Sequence, residues 1–148
     1  MALIRLAGPD DLTALADLRR RWTTERQGPS ADPDFAHRFS DWFTAEARRR
    51  RFWLAEVDQE AVGMVNLLHF ERMPTPGRDA GRWGYLGNMF VVAEHRDRGI
   101  GRQLLDALVA HAEAEGLVRI VLSPSDRSVP FYRRAGFSDA HELLVRRS

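Results

Sequence analysis

Two short constellations in this chain combine residue types and spacing that chemistry can use. The first is Arg96-x-x-Gly99-x-Gly101, set between an apolar run, Met89 to Val92, and a periodic segment that follows at once. Such a turn at a helix start leaves backbone N–H groups and the positive end of the helix dipole facing outward together, which makes an anion site. Glycine serves there because a Cβ would hold a phosphate off the backbone. The dinucleotide fingerprint asks for a third glycine at 104, where Leu104 stands, and for an acid about 20 residues on, where Ile120-Val121-Leu122 offers none. A P-loop asks for a lysine; this chain has none, and all 22 of its basic residues are arginine. Read alone, Gly99 and Gly101 equally describe a tight strand-to-helix turn that binds nothing. The second constellation, about 30 residues further on, is Pro130-Phe131-Tyr132-Arg133-Arg134-Ala135-Gly136-Phe137.

In this order and at this spacing the two segments resemble the GCN5-related N-acetyltransferase (GNAT) superfamily, most strongly between Tyr85 and Phe137. The resemblance implies acetyl-CoA as cosubstrate, with its acetyl group passing to a primary amine by direct attack in a ternary complex. It implies that the turn from Arg96 to Arg102 holds the pyrophosphate through N–H groups around Arg98, Gly99, Ile100, Gly101 and Arg102. Arg96 and Arg98 then add charge-assisted contacts, or Arg96 braces the loop. The pantetheine arm is expected along the backbone of Met89, Phe90 and Val91, like an added strand. The Val91 N–H is the candidate for polarising the thioester carbonyl. By the same resemblance Tyr132 assists the departing thiolate. A tyrosine of pKa about 10 is a weaker acid than a thiol of about 8.5, so a hydrogen bond suffices for that role. The plainer reading makes Tyr132 a core aromatic beside Phe131 and Phe137. Many relatives carry an asparagine seven residues before this tyrosine, near the pantetheine; here the position is Ser125, with Ser128 as the alternative.

The base that deprotonates the amine is less legible. Asn88 cannot act as a base at neutral pH but can orient a water or the amine. Glu56 can act through water, or is a structural acid at a hairpin. His69 can face the cleft or be an ordinary satisfied side chain. Trp22 and Glu25 are candidates for the acceptor pocket, although Trp22 at helical spacing also fits a core position. The five histidines (37, 69, 95, 111 and 141) show no metal-binding spacing, and no metal is expected.

A length of 148 residues is expected to make one domain, 1–148, and a net charge of +1 gives no field to attract nucleic acid or a membrane. The arginine run 48–51 reads as a solvated helix end. The absence of cysteine excludes a disulfide and a cysteine acyl-enzyme, and the absence of lysine excludes Schiff-base chemistry. The N-terminal residues lack a signal-peptide pattern, so a cytoplasmic protein is expected. The partner is an amine acceptor, a small molecule or a peptide; a homodimer is a family-level expectation. A non-catalytic acyl-CoA-binding or sensor module is the alternative function.

Hydropathy patterning predicts strands at 2–7, 52–57, 61–70, 85–92 and 118–122, with closing strands within 137–146. It predicts helices from 12 and from 35, one after Gly101 ended by Gly116, and a short one over 125–135. Residues 71–82 read as a loop for variable substrate contacts. The fold class is therefore α/β with a mixed sheet, which the family resemblance makes mostly antiparallel and flanked by helices. The family resemblance adds a bulge in the strand at 85–92 and a V-shaped splay between it and the strand at 118–122.

Overall fold

The structure, a computed structural model, describes residues 1–148. Five strands form one sheet in chain order: β1 (Leu3–Leu6), β2 (Arg50–Val57), β3 (Glu60–Glu71), β4 (Arg82–Val91) and β5 (Ile120–Val121). The first four are antiparallel to their neighbours; β5 joins β4 in parallel after the crossover helix α3 (Ile100–Ala114). Helices α1 (Leu12–Gln27) and α2 (Phe35–Glu46) lie between β1 and β2, and α4 (Val129–Arg134) follows β5. No helix is long and apolar enough to cross a membrane.

Six consecutive residues of β3, Val62 to Leu67, are buried. Neighbouring strand residues point to opposite faces, so both faces of the sheet are covered. Odd-numbered β3 residues meet α3: a Cβ at Gly63 would touch Leu104, and His69 touches His111. The even-numbered Met64 and Asn66 share a cavity with Leu15 of α1 and Phe39 of α2. Of the apolar stripe read from the sequence of α3, Leu104, Leu105, Leu108 and Ala112 are buried in the core, while Val109 is half-buried against it. Asp58 and Gln59, both at positive φ, close the hairpin between β2 and β3.

Three expectations need correction. Residues 137–146, expected to supply the closing strands, form none: no strand pairs with them, and Leu144 and Val145 are exposed. The strand expected at 118–122 shrinks to Ile120–Val121, with Val118 exposed, because only Gly84 and Tyr85 of β4 pair with it. Helix α2 stops at Glu46, whose carboxylate accepts from Arg49 and Arg50, so Arg50 and Arg51 belong to β2.

On the α3 side, His69 and His111 meet Nε2 to Nε2 at 3.1 Å, and His69 Nδ1 lies 3.2 Å from the Arg49 carbonyl oxygen. A carbonyl only accepts, so His69 is protonated on Nδ1 and His111 donates from Nε2. Burial lowers the pKa of both rings, and the positive charges of Arg51 and Arg82 lower them further. The Arg49 carbonyl opposes this at His69, and Glu115 opposes it at His111. Both rings therefore bind protons more weakly when folded than when unfolded, where histidine titrates at about 6.5. Unfolding takes up protons between the depressed folded values and that point, so the stabilisation is complete above pH 7 and lost as pH falls through the folded values. The melting temperature is expected to drop between pH 7 and pH 5.5, and to drop less in His111→Gln. Equal slopes in the two proteins would exclude the pair as the cause.

Candidate active site

The cleft opens where β4 and β5 part. Their pairing ends at Tyr85–Val121, while β4 runs on to Val91. Beyond that point lies a cavity of about 950 Å³, lined by Tyr85 to Val91 on one wall and by Leu122 to Ser125, Phe131 and Tyr132 on the other. Trp22 and Glu25 of α1 also line it.

A bulge shapes the β4 wall. Two steps along β3, from Met64 to Asn66, oppose three along β4, from Phe90 to Gly87. The extra residue falls at Asn88–Met89, and Asn88 takes φ 56°, in the left-handed region that asparagine tolerates better than most residues. Val92 donates to Val62 O, so strand alternation turns the N–H and C=O of Val91 away from β3 and toward the cleft. Its carbonyl accepts from Arg96 Nε at 2.9 Å, which leaves the Val91 N–H as the open donor. Phe90 is buried and stacks on Trp22 at 5.7 Å, while Met89 lines the cleft.

Asn88 is oriented by a polar relay beneath the site. Arg50, held by Glu46, donates to Asn66 Oδ1 at 2.6 Å, and Asn66 Nδ2 donates to Asn88 Oδ1 at 2.7 Å. Because the Asn66 oxygen is taken by Arg50, its amide nitrogen must face Asn88, and Asn88 is left with its own NH2 free to donate. Burial alone would raise the pKa of Glu46, but the hydrogen bonds from Arg49 and Arg50 outweigh it and hold the carboxyl below its usual value. Asn66 is 2% exposed, the one polar side chain in the core. Its signal was available as a lone amide within the apolar run 61–70.

The turn after β4 builds the second part of the site. A smaller cavity of about 350 Å³ is lined by His95 to Asp97, Gly99 to Arg102, Phe131 and Arg134, and shares Val91, Arg96, Gly101 and Phe131 with the cleft. Asp97 (φ 60°) and Gly99 (φ 82°) are both left-handed, which swings successive N–H groups to one side. None of the N–H groups from Asp97 to Arg102 donates to a carbonyl of the surrounding turns; the first bonded one is Gln103, to Gly99 O. A Cβ at Gly101 would come within 3.6 Å of the Phe131 ring, so the glycine leaves the space between loop and ring open.

The side chains differ in where they go. Arg96 braces the loop, donating to Val91 O and, at 2.6 Å, to Glu25. Arg102 pairs with Asp106 on its own helix. Arg98 is exposed and lines neither cavity; Arg134, which sequence reasoning passed over, lines the smaller one. Ser125 lines the cleft and donates to Ser128 Oγ, which in turn donates to Ser125 O. Tyr132 is 7% exposed, and burial pushes its pKa up to about 12. Its ring packs edge-on against Phe131 and Phe137, as a core aromatic would, and it also lines the cleft. Glu56 lies apart: it is tied to Arg5 at the β1–β2 edge and lines neither cavity. His69 also points elsewhere, to His111.

Comparison with known proteins bears directly on this geometry. Residues 12–137 match the model of the acetyltransferase (GNAT) family, and the chain belongs to that family. It is 29% identical over 85 residues to a glucosamine 6-phosphate N-acetyltransferase of Trypanosoma brucei brucei, covering 57% of this chain and 55% of that one. A glucosamine 6-phosphate N-acetyltransferase of Oryza sativa subsp. japonica is 32% identical over 60 residues, covering 40% and 36%. The match thus spans little more than half the length of the first relative and about a third of the second. Among solved structures, a predicted acetyltransferase of Clostridium acetobutylicum crystallised with acetyl-CoA superposes with a TM-score of 0.80 at 26% identity, covering 99% of this chain and 96% of that one.

Proposed function

We propose that this chain transfers the acetyl group of acetyl-CoA to a primary amine. The observation that carries this reading is the continuous pair of cavities joining a run of unpartnered N–H groups, an open strand edge and a tyrosine hydroxyl. Acetyl-CoA fits that sequence of groups: two phosphates, then amides, then a thioester. When bound, it supplies an acyl carbon open to attack.

The N–H groups from Arg98 to Arg102 hold the pyrophosphate, with Arg134 adding charge. Arg96 acts through the backbone, fixing the loop and the Val91 carbonyl so that the Val91 N–H stays directed at the thioester oxygen. Ser125 lies where it can meet the pantetheine, and Met89 and Phe90 form the strand floor. Asn88 donates to an oxygen, a water or the acceptor itself. Tyr132, protonated throughout the physiological range, hydrogen-bonds the leaving sulfur. Glu56 has no part in this scheme.

One observation favours the non-catalytic alternative: the only carboxylate lining the cleft, Glu25, is already engaged by Arg96. The two readings separate in one assay. Purified protein with acetyl-CoA and a panel of amines is expected to release free thiol only when an amine is present. Acetyl-CoA binding without release for any amine would instead establish a binding module.

A further inference from the structure

We infer that the acceptor is a primary amine on an aromatic or bulky apolar body that also carries a carboxylate, held in the pocket between α1, α2 and the β4 bulge. The inference rests on the transferase reading above and names its second substrate. The pocket, about 340 Å³, is walled by Leu15, Phe35, Phe39, Trp42, Phe52 and Met64. Asn88 lines both this pocket and the main cleft, so the two meet at the bulge. An amine on a body seated here emerges beside Asn88, next to the strand edge where the thioester lies.

The aromatic wall is a connected surface. Phe35, Phe39, Trp42 and Phe52 follow one another at ring separations of 5.7 to 5.8 Å. Such a wall suits an aryl or branched alkyl body and offers few partners to the hydroxyls of a sugar.

The charges lining the pocket are all positive. Two arginines reach it and no acid does. Arg38 is paired with Asp32. Arg19 is half-buried over the Trp22 ring, 4.6 Å from its centroid, and makes no hydrogen bond or ion pair. Nearby, Arg50 is engaged by Glu46 and Asn66, Arg96 by Glu25 and Arg21 by Glu94; Arg20, over the Phe35 ring, and Arg26, on the cleft, also lack an acid partner, but neither lines this pocket. An unpaired guanidinium at the mouth of an apolar pocket is built to receive an anion, and a carboxylate matches its fork. The free amide NH2 of Asn88 is a second donor aimed at oxygen. Polyamines and other multiply charged cations are disfavoured by the same charges, which also lower the pKa of a bound ammonium and ease its deprotonation.

The reaction balances without a carboxylate base. The ammonium gives one proton to solvent water; its nitrogen bonds to the acyl carbon; the carbon–sulfur bond breaks with its electron pair on sulfur. The second nitrogen proton goes to that thiolate, so the products are the N-acetyl carboxylate, the free thiol and one proton.

The test measures thiol release from acetyl-CoA with phenylalanine, leucine, phenylalaninamide, spermidine and glucosamine 6-phosphate. The expected result is a kcat/KM for phenylalanine at least roughly 10-fold above that for phenylalaninamide, and that ratio collapsing toward one in Arg19→Gln. Acetyl-CoA binding, measured by calorimetry, checks that the variant is folded; if it is not, the wild-type ratio alone decides. Equal rates for acid and amide, or a preference for spermidine or glucosamine 6-phosphate, would overturn the inference while leaving the transferase reading intact. No release with any amine, including the last two, would overturn both.

Discussion

Replacing Tyr132 by phenylalanine is expected to lower kcat by roughly 100-fold, the scale of a lost hydrogen-bond donor to charge developing in a transition state. The acetyl-CoA dissociation constant should change little. The ring itself is core: it packs against Phe131 and Phe137, and phenylalanine keeps that packing. What the substitution removes is a hydroxyl whose pKa burial has raised to about 12. Such a group stays protonated across the working range, so the alkaline side of a wild-type pH–rate profile cannot report its ionisation. The measurement is kcat over pH 6 to 9.5 for both proteins, with binding determined separately. If the variant keeps more than half of wild-type kcat, Tyr132 is a packing residue only.

Placing a glutamate at position 101 is expected to weaken acetyl-CoA binding by roughly 100-fold or more. That scale corresponds to the loss of one or two charge-assisted hydrogen bonds. Gly101 is in the first turn of α3 at a conformation other residues adopt, and its Cβ would meet the Phe131 ring only at ordinary contact distance. The fold should therefore accept the substitution. The added chain and its charge enter the cavity that Gly101 shares with Val91, Arg96 and Phe131. Gly101→Ala makes the graded control, adding one methyl and no charge. Calorimetric affinities for Gly101→Glu within a few-fold of wild type would remove the anion-binding role from this turn.

How far the sequence alone could be read depended on whether a feature was local. The turn 96–101 and helix α3 were legible because a left-handed glycine, a helix start and a 3.6-residue apolar period are properties of a short window. Tyr132 was legible through its motif. The closing strands at 137–146 were misread because a strand exists only where another strand accepts its hydrogen bonds, and the local sequence cannot say that none does. The relay Arg50–Asn66–Asn88 was hidden for the same reason: its members lie on three strands and meet only through sheet register. Arg96 illustrates the mixed case. Its bond to Val91 is near in sequence and the bracing role was anticipated, but Glu25, 71 residues away, could not be foreseen. At Arg98 the N–H is unpartnered in the turn while the side chain lines neither cavity, because spacing locates an N–H group better than it aims a long side chain.

The two-residue join between β4 and β5 has a consequence for stability. Strands β1 to β4 are joined antiparallel through four or more residue pairs each, whereas β5, reached through the α3 crossover, pairs only with Gly84 and Tyr85. The strand that leads to the wall carrying Tyr132 is thus the most lightly paired in the sheet. A ligand touching both walls bridges that seam and binds only the finished molecule. At 100 times its dissociation constant it adds about 2.7 kcal/mol to folding stability. If the proposed function holds, the persistence of the fold is in this way coupled to the supply of acetyl-CoA.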